Sequence, residues 1–206
     1  LISAGGAGVE VRTMCAMLWP DAEGDAAQAS FDSTLYRLRK LLGVDGVLHL
    51  TEGRLSLDRT KCWLDVWEFH RLVLVIDEPP DEVPPQDQSR ELLQLYRGHF
   101  LDPDSQEPWA IDARDRARAK FVRAVGNLGT RLEAGRQWEP AIALYGRALE
   151  LDNLAEALYR RLMICHRSNG EPAEAPDVYR RCRDMLSIVL STRPSAETEA
   201  IRATLN

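Results

Sequence analysis

Apolar residues recur at helical spacing in the first third of the chain. Ala27, Phe31, Leu35, Leu38 and Leu42 follow one another at steps of four, four, three and four, which puts them on one face of an α-helix. Asp25-Ala-Ala-Gln28 stands ahead of them as a capping box, with an acceptor at the N-cap and glutamine three residues on, and Gly43 stops the run. The pattern predicts a helix over 25–42. Before it, Glu10–Leu18 reads as a short helix ended by Trp19-Pro20. After it the period changes to two, in Val47-Leu-His-Leu-Thr-Glu-Gly-Arg-Leu-Ser-Leu57. With Glu52-Gly53 as a two-residue turn, Leu50 faces Leu55 and Leu48 faces Leu57, while Thr51 pairs with Arg54 on the exposed side.

A second capping box, Asp65-Val-Trp-Glu68, opens a helix with apolar residues at Val66, Trp67, Phe69, Leu72, Val73, Val75 and Ile76. They cover more than one side of it. A helix of that kind is enclosed by two partners, so residues 60–76, with Trp63, are expected to form a core shared by what lies before and after. Asp77–Ser89 then packs four prolines and five acidic residues into one stretch. That density predicts an acidic surface linker with no helix in it.

Beyond the linker the pattern is helical nearly throughout, broken near Gly135 and Gly170. A shift of 34 residues superposes Val125 on Tyr159, Leu128 on Leu162, Ala141 on Ala175, Tyr145 on Tyr179 and Ala148 on Cys182. That is the period of the tetratricopeptide helix–turn–helix repeat. The small residues let paired helices approach, and Tyr145 and Tyr179 are expected to fill the groove between them. Asn153 and Pro176 depart from the repeat, so the last helix pair is expected to be irregular.

Composition is that of an ordinary globular chain, with 206 residues, 45% apolar and 28% charged. Its net charge of −6 excludes a histone-like polycation but leaves room for a local basic patch. The longest aliphatic run, Leu72–Ile76, falls far short of the ~20 residues of a membrane span, and no signal peptide is expected. Cys15, Cys62, Cys165 and Cys182 are scattered and read as reduced thiols of a cytoplasmic protein.

Catalytic signatures are missing. Gly5-Gly6-Ala-Gly8 has no lysine behind it and reads as a helix–helix connection. The four histidines are isolated, with no zinc spacing, and no serine sits in a nucleophile elbow. Cys165-His166 with Cys182 is the one thiol–imidazole grouping, and both cysteines fall at apolar helix positions. The reading is a non-enzyme without cofactor or metal.

Nucleic-acid chemistry has more support. Opposite the apolar face of the 25–42 helix lie Ala29, Ser33, Tyr36, Arg37 and Lys40, with Ser30 at the margin. Short residues near the start and long cations near the end suit a helix entering a major groove, where arginine bonds guanine bidentately. The following hairpin would be a wing whose Thr51 and Arg54 face a phosphate or the minor groove. Between residues 33 and 61, six cations (Arg37, Arg39, Lys40, Arg54, Arg59, Lys61) stand against Asp45, Glu52 and Asp58, a local surplus of three.

The order of these features carries a resemblance. Leu18-Trp-Pro-Asp, then Phe31-Asp-Ser-Thr-Leu-Tyr-Arg-Leu-Arg-Lys-Leu-Leu42, then a Gly-turn hairpin ending Leu55-Ser-Leu-Asp58 resembles the OmpR-like winged helix-turn-helix. It resembles most the variant joined to a bacterial transcriptional activator domain in SARP-type activators and large ATPase-linked regulators. Tyr96-Arg-Gly-His-Phe-Leu101, Trp109-Ala110, the Arg-rich run from Arg114, the Gly135–Leu151 repeat, Tyr159-Arg-Arg-Leu-Met163 and Arg193-Pro-Ser-Ala-Glu-Thr-Glu199 are similar to that domain. The resemblance implies base contacts at Ser33, Thr34 and Arg37, with Tyr36, Arg39 and Lys40 on the backbone. It also implies a sheet and a first helix ahead of the recognition unit. Leu1-Ile2 reads as the tail of that helix, so the winged domain is expected to be N-terminally truncated.

The expected architecture is mainly α: a partial winged helix-turn-helix over 1–60 with recognition helix 25–42 and β-hairpin wing 47–57, a bridging helix and acidic linker over 61–89, and a tetratricopeptide-like α-helical repeat domain over 90–206. The expected function is that of a cytoplasmic bacterial transcriptional activator module. Its partners are double-stranded DNA, RNA polymerase or another regulator domain held by the repeats, and a second copy in a homodimer, with no membrane contact. The alternative is a protein–protein interaction scaffold of a larger signalling regulator, with no DNA binding by this fragment.

Overall fold

The computed structural model describes residues 1–78, 84–100 and 108–205. It divides into two compact units, Leu1–Trp67 and Glu68–Asn206. Leu101 of the Tyr96–Leu101 motif, and residues 79–83 of the acidic stretch, lie outside the described residues. No described helix is long and apolar enough to cross a membrane.

The first unit begins with a 3-10 helix, Ile2–Ala7, which includes Ile2 of the helix tail expected at Leu1-Ile2. Then come β1 (Val9–Glu10), α1 (Val11–Leu18), α2 (Gly24–Leu42), β2 (Leu48–Thr51) and β3 (Arg54–Leu57). The hairpin register is the one its alternation dictates: Leu48 faces Leu57, Leu50 faces Leu55, and Thr51 faces Arg54. Glu52 (φ 50°) and Gly53 (φ 73°) both take the left-handed conformation that a two-residue primed turn requires. β1 adds a third, antiparallel strand beside β3, with Val9 opposite Leu55. Gly8 therefore leads into a sheet edge and does not connect two helices. A Cβ at Gly8 would stand 2.6 Å from the Leu55 carbonyl oxygen.

α2 also starts earlier than its capping box suggests. Glu23, with extended backbone, is the N-cap, and no side chain caps the helix. Its carbonyl accepts the Ala27 N–H, which places Asp25 inside the first turn. There its carboxylate favours the helix dipole without closing a box.

In the second unit, α3 (Asp65–Asp77, whose first residues belong to the first unit) is followed by α4 (Pro85–Leu95), α5 (Pro108–Ala134), α6 (Trp138–Leu151), α7 (Glu156–Ser168), α8 (Ala175–Leu190) and α9 (Ala196–Ala203). The acidic linker is thus shorter than expected. Pro84 is the N-cap of α4 and Pro85 its first residue, a position where the missing N–H costs nothing and the fixed φ helps. Gln88 and Ser89 are buried, not part of a surface loop. On α3, Phe69, Leu72, Val73 and Ile76 enter the core of the helical unit, whereas Trp63, expected in a shared core, is 68% exposed.

The positions superposed by the 34-residue shift differ in depth. Val125, Leu128, Ala141, Tyr145, Ala148, Tyr159, Leu162, Ala175 and Cys182 are all buried. Tyr179 is only half-buried and donates to Glu199 of α9. The turn between α6 and α7 contains neither Gly nor Pro. Asp152 makes it, accepting from the Leu154 N–H and taking the Arg118 guanidinium at 2.7 Å.

Candidate nucleic-acid interface

α2 is held from below by Ala27, Phe31 and Leu35, which pack with Val11 and Cys15 of α1 and with Leu48 and Leu55 of the sheet. Leu38 is partly buried against the same cluster, whereas Leu42, the last member of the apolar series, is 42% exposed. Gly43 closes the helix in the left-handed conformation, its N–H returning to the Arg39 carbonyl. Arg39 and Lys40 occupy the last turn, where cations favour the negative end of the dipole.

This anchoring leaves one long side of α2 in solvent. Ser33, Thr34, Tyr36, Arg37 and Lys40 are exposed, Tyr36 by 67%, and Ser30 is half-buried at the margin. Thr51 is exposed at the hairpin tip. Gln28 Nε2 donates to Asp32 Oδ1 at 3.2 Å across one turn. The i, i+4 spacing of that pair is visible in the sequence, and it places a carboxylate beside the exposed face.

The six cations of the basic segment have different fates. Arg39 donates to the Leu48 carbonyl at 3.2 Å and ties α2 to β2. Arg54 donates to the Gly8 carbonyl at 3.1 Å and the Ala7 carbonyl at 3.4 Å, and pairs with Glu10 at 3.2 Å. It clamps β3 to the segment entering β1. Lys61 donates to the Asp45 carbonyl at 2.9 Å, and the Arg59 guanidinium lies 4.8 Å from the Trp67 ring centroid. Among the described residues, only Arg37 and Lys40 of the six make no hydrogen bond, ion pair or ring contact. The surplus counted along the chain thereby narrows to two unengaged cations one turn apart on the exposed side of α2.

At the base of the hairpin, Asp58 accepts from the Thr60 hydroxyl at 2.7 Å and the Thr60 N–H at 2.8 Å, and lies 3.2 Å from His49. These bonds, the Thr60 hydroxyl first, hold its carboxyl down at about 2. Asp58 therefore stays ionised across the physiological pH range.

The grouping of Cys165, His166 and Cys182 is one of two core thiols and a partly buried imidazole. Both cysteines are fully buried, and His166 pairs with Glu171 at 2.9 Å. Burial pushes each thiol up to about 12, far above the range in which a thiolate nucleophile forms at neutral pH. Among the described residues, no group of three His, Cys, Asp or Glu side chains is arranged to hold a metal ion.

A family model described as "Bacterial transcriptional activator domain" matches residues 64–206. The chain is also similar to a solved structure titled "Mycobacterium tuberculosis EmbR in complex with low affinity phosphopeptide". The TM-score is 0.61 and the identity 22%, over 96% of this chain and 54% of that one. At that identity the likeness concerns the fold, and this chain spans about half the length of EmbR. No curated protein sequence matches the chain.

Proposed function

The chain belongs to the bacterial transcriptional activator domain family, and from that premise we propose that it is the DNA-reading output module of a SARP-type regulator. In this reading the first unit is an OmpR-like winged helix-turn-helix with α2 as its recognition helix and the hairpin as its wing. Ser33, Thr34 and Arg37 meet base edges in the major groove, while Tyr36, Lys40 and Thr51 meet the backbone. The observation that carries the reading is the exposed side of α2, rigidly seated on its core, with Arg37 and Lys40 unengaged. Arg39 and Arg54 act from behind, holding α2 and the wing in place through the carbonyls they bind.

The second unit reads as a tetratricopeptide-like array, α5–α6 followed by α7–α8, that presents partners such as RNA polymerase, another regulator domain or a second copy. Its role is binding, without catalysis or cofactor, in the bacterial cytoplasm.

A randomised duplex library selected against the full chain tests the DNA reading. The selected duplex is expected to bind with an affinity that falls steeply with salt. Arg37→Ala is expected to cost ~1–3 kcal/mol on that duplex and to relax sequence preference at one position. Lys40→Ala should weaken all duplexes alike and flatten the salt slope by ~1. If no duplex is enriched, or both substitutions leave the affinity and its salt slope unchanged, α2 is not a recognition helix and the interaction-scaffold reading takes its place.

A further inference from the structure

α9 (Ala196–Ala203) is eight residues long, too short to be stable alone. Of its residues only Thr198 is buried, so hardly any apolar surface holds it. Polar contacts do. Glu156 Oε1, at the start of α7, accepts from the Ser195 N–H at 2.7 Å, the Ser195 hydroxyl at 2.8 Å and the Thr198 hydroxyl at 2.5 Å. Arg160, one turn on, pairs with Glu197 at 3.0 Å. Arg167 donates to Thr204 at 2.8 Å. From α8, Tyr179 donates to Glu199, and its ring lies 5.3 Å beneath the Arg202 guanidinium. Burial acts to raise the Glu156 carboxyl, yet the bonds from Thr198 and Ser195 and the Arg160 charge outweigh it and hold it below its ordinary value.

Three features of this arrangement bear on where α9 docks. The receiving face is complementary in detail: a carboxylate meets the hydroxyls and N–H of the helix start, and a guanidinium meets its acid. The one large apolar side chain of α9, Ile201, is already partly exposed, so detaching the helix uncovers little apolar surface of its own. The connector 191–195 is short and begins at Ser191, a non-glycine residue at φ 53°. Strained short hinges favour exchange of the element they carry. From these we infer that α9 exchanges between two copies of the chain, each copy seating its α9 on the Glu156–Arg160–Tyr179 face of the other. The same contacts form within one copy or between two, so mass action selects the dimer at high concentration. Relief at Ser191 is the local gain on opening.

Complementation tests this on the full chain. Glu156→Lys spoils the receiving face and leaves α9 intact; Thr198→Asp spoils α9 by setting a carboxylate against Glu156 and leaves the face intact. Each variant alone is expected to be monomeric in light scattering at concentrations where the unchanged chain is partly dimeric. A mixture of the two should form a one-to-one heterodimer, seen by native mass spectrometry. A labelled peptide of residues 192–205 should bind the Thr198→Asp chain, and at least about tenfold more weakly when Glu156→Lys is added, because several charge-assisted bonds are lost. Glu156→Gln replaces Glu156→Lys if the lysine variant loses its cooperative melt. A mixture of folded variants that stays monomeric overturns the inference, as does peptide binding indifferent to Glu156. DNA binding enters neither readout.

Discussion

Replacing Gly129 by alanine is expected to destabilise the helical unit by about 2–3 kcal/mol, the cost of overpacking a filled core. The direction opposes the usual rule. Glycine inside a helix costs ~1 kcal/mol relative to alanine, and Gly129 lies well inside α5. A Cβ there would stand 2.0 Å from the Tyr145 hydroxyl oxygen and 2.2 Å from Cζ. Tyr145 has no freedom to retreat: it is fully buried, and its hydroxyl donates to Glu133 at 2.6 Å. Arg161 of α7 binds the other oxygen of that carboxylate at 3.1 Å, so moving the ring disturbs three helices. Gly126, one turn earlier, has nothing within 4 Å of the position a Cβ would take. Gly126→Ala should therefore stabilise by about 0.5–1 kcal/mol. Urea midpoints of the two variants should move in opposite directions. A Gly129→Ala chain as stable as the parent would mean that α5 and α6 do not cross at Tyr145.

Phe121→Ala should cost more, about 3–5 kcal/mol. Phe121 is fully buried, its ring stacked on Tyr96 with centroids 3.9 Å apart, and Tyr96 in turn lies 5.7 Å from Phe69. α5, the segment after α4, and α3 meet at these three rings, so truncating the central one leaves a cavity that none of them can fill. Phe121→Leu keeps most of the volume and should lose less than about 1.5 kcal/mol. If alanine and leucine at 121 prove equally mild in a urea titration, the aromatic stack does not hold α3 and α4 onto α5.

Much of the fold was legible because it follows from local periodicity. The hairpin register came from alternation around Glu52-Gly53, and the core face of α2 from Ala27, Phe31 and Leu35. Gly43 marked the end of α2. Ala141, Tyr145, Ala148, Ala175 and Cys182 are buried at the positions the 34-residue spacing marked, whereas Tyr179 is only half-buried. Where these expectations slipped, local grammar had two valid readings. Pro84-Pro85 forbids a helix interior but suits a helix start. Asp25 serves an N-cap or a first turn equally well, and the contacts of its neighbours chose between them. β1 has two residues, too few to carry a period, and exists only because β3 offers it an edge.

The candidate interface divides in the same way. Which side of α2 is exposed was set by the sequence itself, since burying Phe31 and Leu35 leaves Ser33, Tyr36, Arg37 and Lys40 outside by helical geometry alone. Which cations remain available was decided by tertiary structure. Arg54 finds the Gly8 carbonyl 46 residues away, Lys61 the Asp45 carbonyl 16 away, and Arg39 the Leu48 carbonyl nine away. A charge count treats all six cations alike because a long flexible side chain carries no record of its partner. Only the folded chain, by bringing carbonyls within reach of three of them and the Trp67 ring within reach of Arg59, distinguishes the four that are engaged from the two that are not.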